Sequence, residues 1–175
     1  MKIQAIEELK LHISDKRTRI CMDEVLSCFY SKNMRSAVVM LYVTTISDVY
    51  YKLCDLVDIY NDTAAKAIKE YVEREWKDSS TSPKWETEII KKCYQKKRIL
   101  NNEGYSHLLQ LQSERNLCAH PVIEASSELY NPNEAIVQGL ILNMLVDILC
   151  KPSFLAKSFF DTFTEDIERS AEYFL

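Results

Sequence analysis

The chain has 175 residues, of which 47% are hydrophobic and 27% are charged, and its net charge is −4. This composition fits one folded domain and excludes a disordered chain. Only two Gly and four Pro are present, too few for the tight turns of a β-sandwich or barrel, and no glycine-rich phosphate loop occurs. We therefore expect an all-α protein, a single-domain helical bundle over residues 1–175.

Apolar residues recur at helical spacing along most of the chain. Asn33 is the expected N-cap of a long third helix, and the first half of that helix, RSAVVMLYVTTI, is apolar nearly all round, which predicts the most buried helix of the bundle. Asn131 and Pro132 are predicted to start the last core helix. The predicted helices cover residues 3–12, 20–30, 34–60, 63–76, 83–100, 105–119, 132–150 and 164–175, with breaks at 101–104 and 121–130.

Cysteine spacing and apolar run lengths limit the kinds of site and location. The six cysteines are scattered, mostly within apolar segments, and form no C-x-x-C pair, so we expect no zinc site, no metal and no cofactor. With no signal peptide recognised, reduced thiols and a cytoplasmic location are expected. The longest apolar run, AVVMLYV, is too short to cross a bilayer, so no membrane association is expected.

The stretch ERNLCAHP at residues 114–121 places an arginine and a histidine at the end of a predicted helix. Pro121 disfavours helical geometry at the residue before it, so the helix should end near Ala119 with His120 at its edge. Arg115 and His120 are then roughly 140° apart around the helix and do not share one stripe. Two interpretations follow: surface residues favoured by the helix dipole, or a pair that acts on a negatively charged substrate.

An arginine and a histidine suffice, in principle, to cleave RNA. RNA carries its own nucleophile, the 2′-OH, so a catalyst needs a group that moves protons and a cation that stabilises charge on the phosphorane. Histidine is a general acid or base near neutral pH. Arginine stays charged and can hold a phosphate bidentately. This chemistry needs no metal, which agrees with the absence of a ligand motif.

The residues RNLCAH at 115–120 resemble the R-N-x-x-x-H motif of the HEPN superfamily, small helical domains that include many ribonucleases. The resemblance implies metal-independent endoribonuclease activity that leaves 2′,3′-cyclic phosphate and 5′-OH ends, with a composite site formed across a homodimer. His120 would then transfer protons, Arg115 would hold the phosphate, and Asn116 would orient the backbone or the substrate. Members act as toxins or antiphage defence effectors, which implies RNA as substrate and an antitoxin or defence-system protein as partner.

The same residues are compatible with functions other than catalysis. Some HEPN domains are binding or scaffold modules, and the chain also fits an unrelated helical adaptor in which Arg115 and His120 are surface residues. One antitoxin-paired branch of the family has a tyrosine two residues after the histidine, where this chain has Val122. This difference argues against a nucleotidyltransferase partner that would modify such a tyrosine.

Asp48 is the fourth candidate catalytic residue, because a carboxylate inside an otherwise apolar helix needs a partner. Two arrangements are open. Asp48 faces Arg115 and fixes its guanidinium, or it pairs with Lys52 one turn away while Thr44 and Thr45 donate back to helix carbonyls.

A basic run in residues 84–98 is the candidate RNA-binding strip, although a solvated helix face has the same composition. Trp76, Trp85 and Tyr94 offer surfaces for base stacking or act as core anchors. His107 either joins the site or is a satisfied histidine near a helix start. The expected RNA-binding residues are Lys91, Lys92, Lys96, Lys97 and Arg98.

Overall fold

The structure is a computed structural model that describes residues 2–78, 84–96, 99–120 and 129–153. Within these ranges it contains helices and no β-strand, which confirms the predicted all-α bundle. The elements are α1 (Lys2–Lys10), α2 (Lys16–Tyr30), α3 (Met34–Asp58), α4 (Thr63–Asp78), α5 (Lys84–Gln95), α6 (Asn102–Ala119) and α7 (Glu134–Met144), which continues into a π-helical turn (Leu145–Leu149).

Helix α3 is the centre of the bundle and packs against α2, α4, α5, α6 and α7. Because it is surrounded, its buried residues occupy more than one face, as the nearly continuous apolar sequence predicts. Val38, Leu41, Val49 and Leu53 are completely buried. Each such side chain contributes about 1.5–3 kcal/mol by leaving water, so α3 anchors the helices that carry the candidate site.

By length and composition alone, α3 is also long and apolar enough to cross a membrane. In the structure, 61% of its most apolar 18-residue window is buried inside the bundle. The core helix of a bundle meets the same criteria, so this feature is weak evidence on membrane association, and the expectation of none stays a prediction.

Two predicted helix starts, at residues 105 and 132, are wrong by a few residues, because Asn101 caps α6 and Asn133 caps α7. The predicted break at residues 101–104 is the start of α6. Asn101 accepts a hydrogen bond from the Gly104 N–H at 2.9 Å, and the helix begins at Asn102. Asn133, not Asn131, caps α7, accepting from the Ile136 N–H at 2.9 Å. Asn33 occupies the N-cap position of α3 without a side-chain capping bond.

Other predicted boundaries also shift. The predicted helix 83–100 ends at Gln95, and α2 begins at Lys16 because Asp15 accepts from the backbone N–H groups of Arg17 and Thr18. The predicted last helix, 164–175, lies outside the described residues, as does most of the predicted loop 121–130.

Candidate functional site at the end of helix α6

Helix α6 ends at Ala119, as the following proline predicts. His120 is the C-cap residue, with extended backbone angles (φ −104°, ψ 152°), and its N–H donates to the Asn116 carbonyl at 3.2 Å. The imidazole is exposed. His120 therefore stands at the C-terminal end of α6 with its side chain toward solvent.

Arg115 points into the seam where α6 meets α3 and α5. Its guanidinium carbon lies 4.9 Å from the centre of the Tyr42 ring, and Nη2 is 3.4 Å from Glu86 Oε2. Nη1 donates to Asn116 Oδ1 at 3.2 Å. Among the described residues, the buried Nε has no hydrogen-bond partner. The contact with Glu86 is single and long rather than bidentate, so donors of the guanidinium remain for an anion.

Tyr42 and Gln112 complete the surroundings of Arg115. Gln112 Nε2 donates to Tyr42 Oη at 3.1 Å and to Thr87 Oγ1 at 3.2 Å, which joins α3, α5 and α6. Burial, and then the charge of Glu86, raises the pKa of Tyr42 to about 12. The phenol is therefore neutral at physiological pH, and Arg115 lies over an uncharged ring, an arrangement worth about 0.5–2 kcal/mol.

Within one chain, the structure does not bring the guanidinium of Arg115 and the imidazole of His120 together. In the described part of the chain the contacts of Arg115 are with Tyr42, Glu86 and Asn116. The two residues are separated by roughly 7.5 Å along the helix axis. One chain alone therefore presents the two groups on different faces at the end of α6.

The expectation that Asp48 faces Arg115 is not met. Asp48 Oδ2 is 2.5 Å from Lys52 Nζ, and Asp48 Oδ1 accepts from Thr18 Oγ1 at 2.9 Å. Only 1% of Asp48 and 5% of Lys52 is exposed. Burial raises the pKa of Asp48, and Lys52 opposes this. The carboxylate thus belongs to a separate buried ion pair, which is the intrahelical alternative.

The intrahelical alternative also predicted that Thr44 and Thr45 donate to helix carbonyls. In the described residues this holds for Thr45 and not for Thr44. Thr45 Oγ1 donates to the Leu41 carbonyl at 2.8 Å, while Thr44 Oγ1 has no partner among the described residues. Lys52 Nζ also donates to the Ile148 carbonyl at 2.6 Å, inside the π-helical turn. A side chain inserted at a helix carbonyl is a recognised cause of such a local change in winding.

The residues of the predicted basic strip do not share one environment. The ammonium of Lys92 lies 3.9 Å from the centre of the Tyr71 ring and 3.9 Å from Glu88, so it faces α4. Lys91 and Lys96 are exposed, and Lys97 and Arg98 lie outside the described residues. Lys91 is one helical turn from Thr87, whose hydroxyl accepts from Gln112 of α6.

The remaining candidates from the sequence are His107, Tyr94 and Trp76. His107 Nδ1 is 2.6 Å from Asp147 Oδ2, the satisfied arrangement. Tyr94 stacks on Tyr105 at 4.0 Å, so that face is occupied, whereas Trp76 is 52% exposed. In the described ranges, no group of three His, Cys, Asp or Glu side chains is placed to hold a metal ion.

Arg35 is a polar residue of this region that sequence reasoning missed. Its Nε and Nη2 donate to the Cys118 carbonyl at 3.1 and 2.6 Å. Arg35 and Cys118 also line a cleft of about 580 Å³ at the start of α3. The two residues are 83 positions apart, so no local pattern indicates the contact. Glu86 and Tyr42 were missed for the same reason.

Cys118 lies inside the motif, and we expect it to be chemically inert. Burial, and then the charge of Glu114, raises its pKa to about 11, so the thiol is protonated at neutral pH and only its thiolate would react. Iodoacetamide at pH 7.5 should leave Cys118 unmodified in the folded protein and alkylate it in urea, as peptide mass spectrometry would show. Rapid alkylation of the folded protein at that pH would contradict this assignment.

Comparisons with protein-family models, with curated proteins and with solved structures found no match for this chain.

Proposed function

We propose that this protein is a metal-independent endoribonuclease whose site is the C-terminal end of α6. One observation carries the proposal: a half-buried arginine, whose terminal nitrogens each make one contact and keep donors for an anion, lies within two turns of an exposed histidine at a helix C-terminus. The motif that these two residues form, which resembles that of HEPN ribonucleases, is a second source of support.

The reaction assigns one role to each group. The 2′-oxygen of RNA attacks the adjacent phosphorus, the bond from phosphorus to the 5′-oxygen breaks, and a 2′,3′-cyclic phosphate and a 5′-OH result. His120 takes the proton from the 2′-OH while water supplies one to the leaving 5′-oxygen, or His120 supplies that proton while water takes the one from the 2′-OH. Arg115 stabilises the charge that develops on the phosphoryl oxygens. Asn116 supports Arg115 by accepting from Nη1.

We propose further that two copies of the chain form the working site. Arg115 faces inward and His120 outward, so a phosphate held by Arg115 of one copy is best reached by His120 of a second copy whose α6 end lies opposite. In a symmetric dimer the same patch occurs on both subunits, and two facing α6 ends satisfy that condition. A cytoplasmic toxin or antiphage effector, restrained by an antitoxin or defence-system protein, is the setting we propose.

The purified protein is expected to cut single-stranded RNA in the presence of EDTA, and Arg115→Ala should lower the rate by a factor of about 10²–10³, the usual effect of removing a donor to the developing charge. End analysis of the products should detect 2′,3′-cyclic phosphate. Arg74→Ala is the matched control, because Arg74 also lies over a tyrosine ring, that of Tyr71 at 5.7 Å, but on α4.

Three outcomes would contradict the proposal. Cleavage that stops in EDTA would refute the metal-independent reaction. A wild-type protein that binds RNA or a protein partner without cutting RNA would favour a scaffold module, and one that binds neither RNA nor a second copy would favour an adaptor.

A further inference from the structure

The C-terminal turn of α6 is held by a side chain from α3. The last carbonyl groups of any α-helix lack partners within the helix, and here the Cys118 carbonyl accepts two hydrogen bonds from the guanidinium of Arg35. Arg35 is half-buried and extends across from the first turn of α3. A fixed positive charge at this end also interacts favourably with the helix dipole.

The position of His120 depends on this anchored turn. Among the described residues, the only hydrogen bond of His120 is made by its backbone N–H, to Asn116, and its exposed imidazole is carried by the backbone alone. Cys118 is two residues before His120. Two contacts therefore hold the backbone of this last turn. Arg35 donates to the Cys118 carbonyl, and the His120 N–H donates to the Asn116 carbonyl.

Arg35 belongs to the same seam as Arg115. Arg35 and Tyr42 are seven residues apart on α3, nearly two full turns, so they share the face that packs against α6. One contacts Cys118 and the other contacts Arg115. A single face of α3 thus positions both ends of the motif.

We propose that Arg35 is a positioning residue for His120: its paired hydrogen bonds to the Cys118 carbonyl place the imidazole for proton transfer. The catalytic part of this inference rests on the proposed ribonuclease function, whereas the placement of the imidazole does not. Misplacing a reacting group by about 1 Å can cost two orders of magnitude in rate, so a residue that only orients the turn has a large effect.

Steady-state RNA cleavage separates positioning from substrate binding. Arg35→Ala is expected to lower kcat by a factor of about 10–100 with KM nearly unchanged, because Arg35 donates its hydrogen bonds to the Cys118 carbonyl and not to the substrate. Arg35→Lys keeps one donor and should have an intermediate kcat. Lys32→Gln is the matched control: Lys32 lines the same cleft but pairs with Glu134 at 2.6 Å. It should leave kcat unchanged. A raised KM with an unchanged kcat in Arg35→Ala would overturn the proposal.

NMR of the histidine rings tests the placement without any enzymatic activity. The chain has three histidines, so their ring signals can be assigned from His→Gln variants. Arg35→Ala should shift or broaden the ring signals of His120 and leave those of His12 and His107 in place. If a wild type that cuts no RNA still shows this effect, the proposed function fails while the positioning stands. Unchanged His120 signals in Arg35→Ala, or in Arg35→Met should the alanine variant not fold, would overturn the proposal.

Discussion

His120→Ala should lower the kcat of RNA cleavage by a factor of about 10²–10⁴, the usual range for loss of a general acid or base. The free energy of unfolding should stay within about 0.5 kcal/mol of the wild-type value, because the imidazole is exposed and the described contacts of His120 are made by its backbone. Initial rates on a labelled single-stranded RNA, together with urea unfolding curves, measure both quantities.

The matched control is His12→Ala, which removes another exposed histidine and should leave kcat unchanged. Mixing inactive His120→Ala with inactive Arg115→Ala protein should restore part of the activity if the two groups act across a dimer. Expression of the wild-type chain should arrest growth, and expression of His120→Ala should not. A His120→Ala protein that cuts RNA at the wild-type rate would remove histidine from the mechanism.

Lys52→Met should lower the free energy of unfolding by about 3–5 kcal/mol, because it leaves the buried Asp48 carboxylate without its ion pair. It also removes the donor to the Ile148 carbonyl in the π-helical turn. Since domains of this size are stable by only about 5–15 kcal/mol, the loss should be evident as a lower urea midpoint. The matched control is Lys69→Met, which breaks a partly exposed i,i+4 pair with Glu73 and should cost less than about 1 kcal/mol.

The pH dependence of Lys52→Met has a defined sign. Burial raises the pKa of Asp48 above its ordinary value, and without Lys52 this effect is less opposed. The folded state then binds the proton more tightly than the unfolded chain, so this stability is present at low pH and is lost as the pH rises through the raised pKa. The deficit relative to wild type should therefore shrink as the pH falls. A deficit that grows on acidification would contradict the buried pair.

A kinetic comparison separates this structural role of Asp48 from a catalytic one. If the carboxylate served the site, Asp48→Asn would lower kcat at full stability. Because Asp48 contacts Lys52 and Thr18 instead, we expect the loss to appear in stability and any remaining folded protein to cut RNA at nearly the wild-type rate.

Features that depend on neighbouring residues were determined by the sequence itself. Few glycines and helical periodicity predict the all-α class, the unbroken apolar stretch predicts that α3 is the buried centre, and Pro121 predicts where α6 ends. These follow because backbone geometry and the pattern of burial repeat every 3.6 residues. The cap of α7 was missed because two nearby asparagines, Asn131 and Asn133, compete for the same role.

Only the tertiary structure decided which helix each face meets. Periodicity marks Arg35 and Arg115 as positions on helix faces, but not as partners of Cys118 and Glu86. The two alternatives for Asp48 were a contact with Arg115 on α6 and a pair with Lys52 on α3. The folded structure contains the pair within α3. The contact of Arg35 with Cys118 joins residues 83 apart. Such contacts depend on how helices pack in three dimensions, which local propensity does not encode.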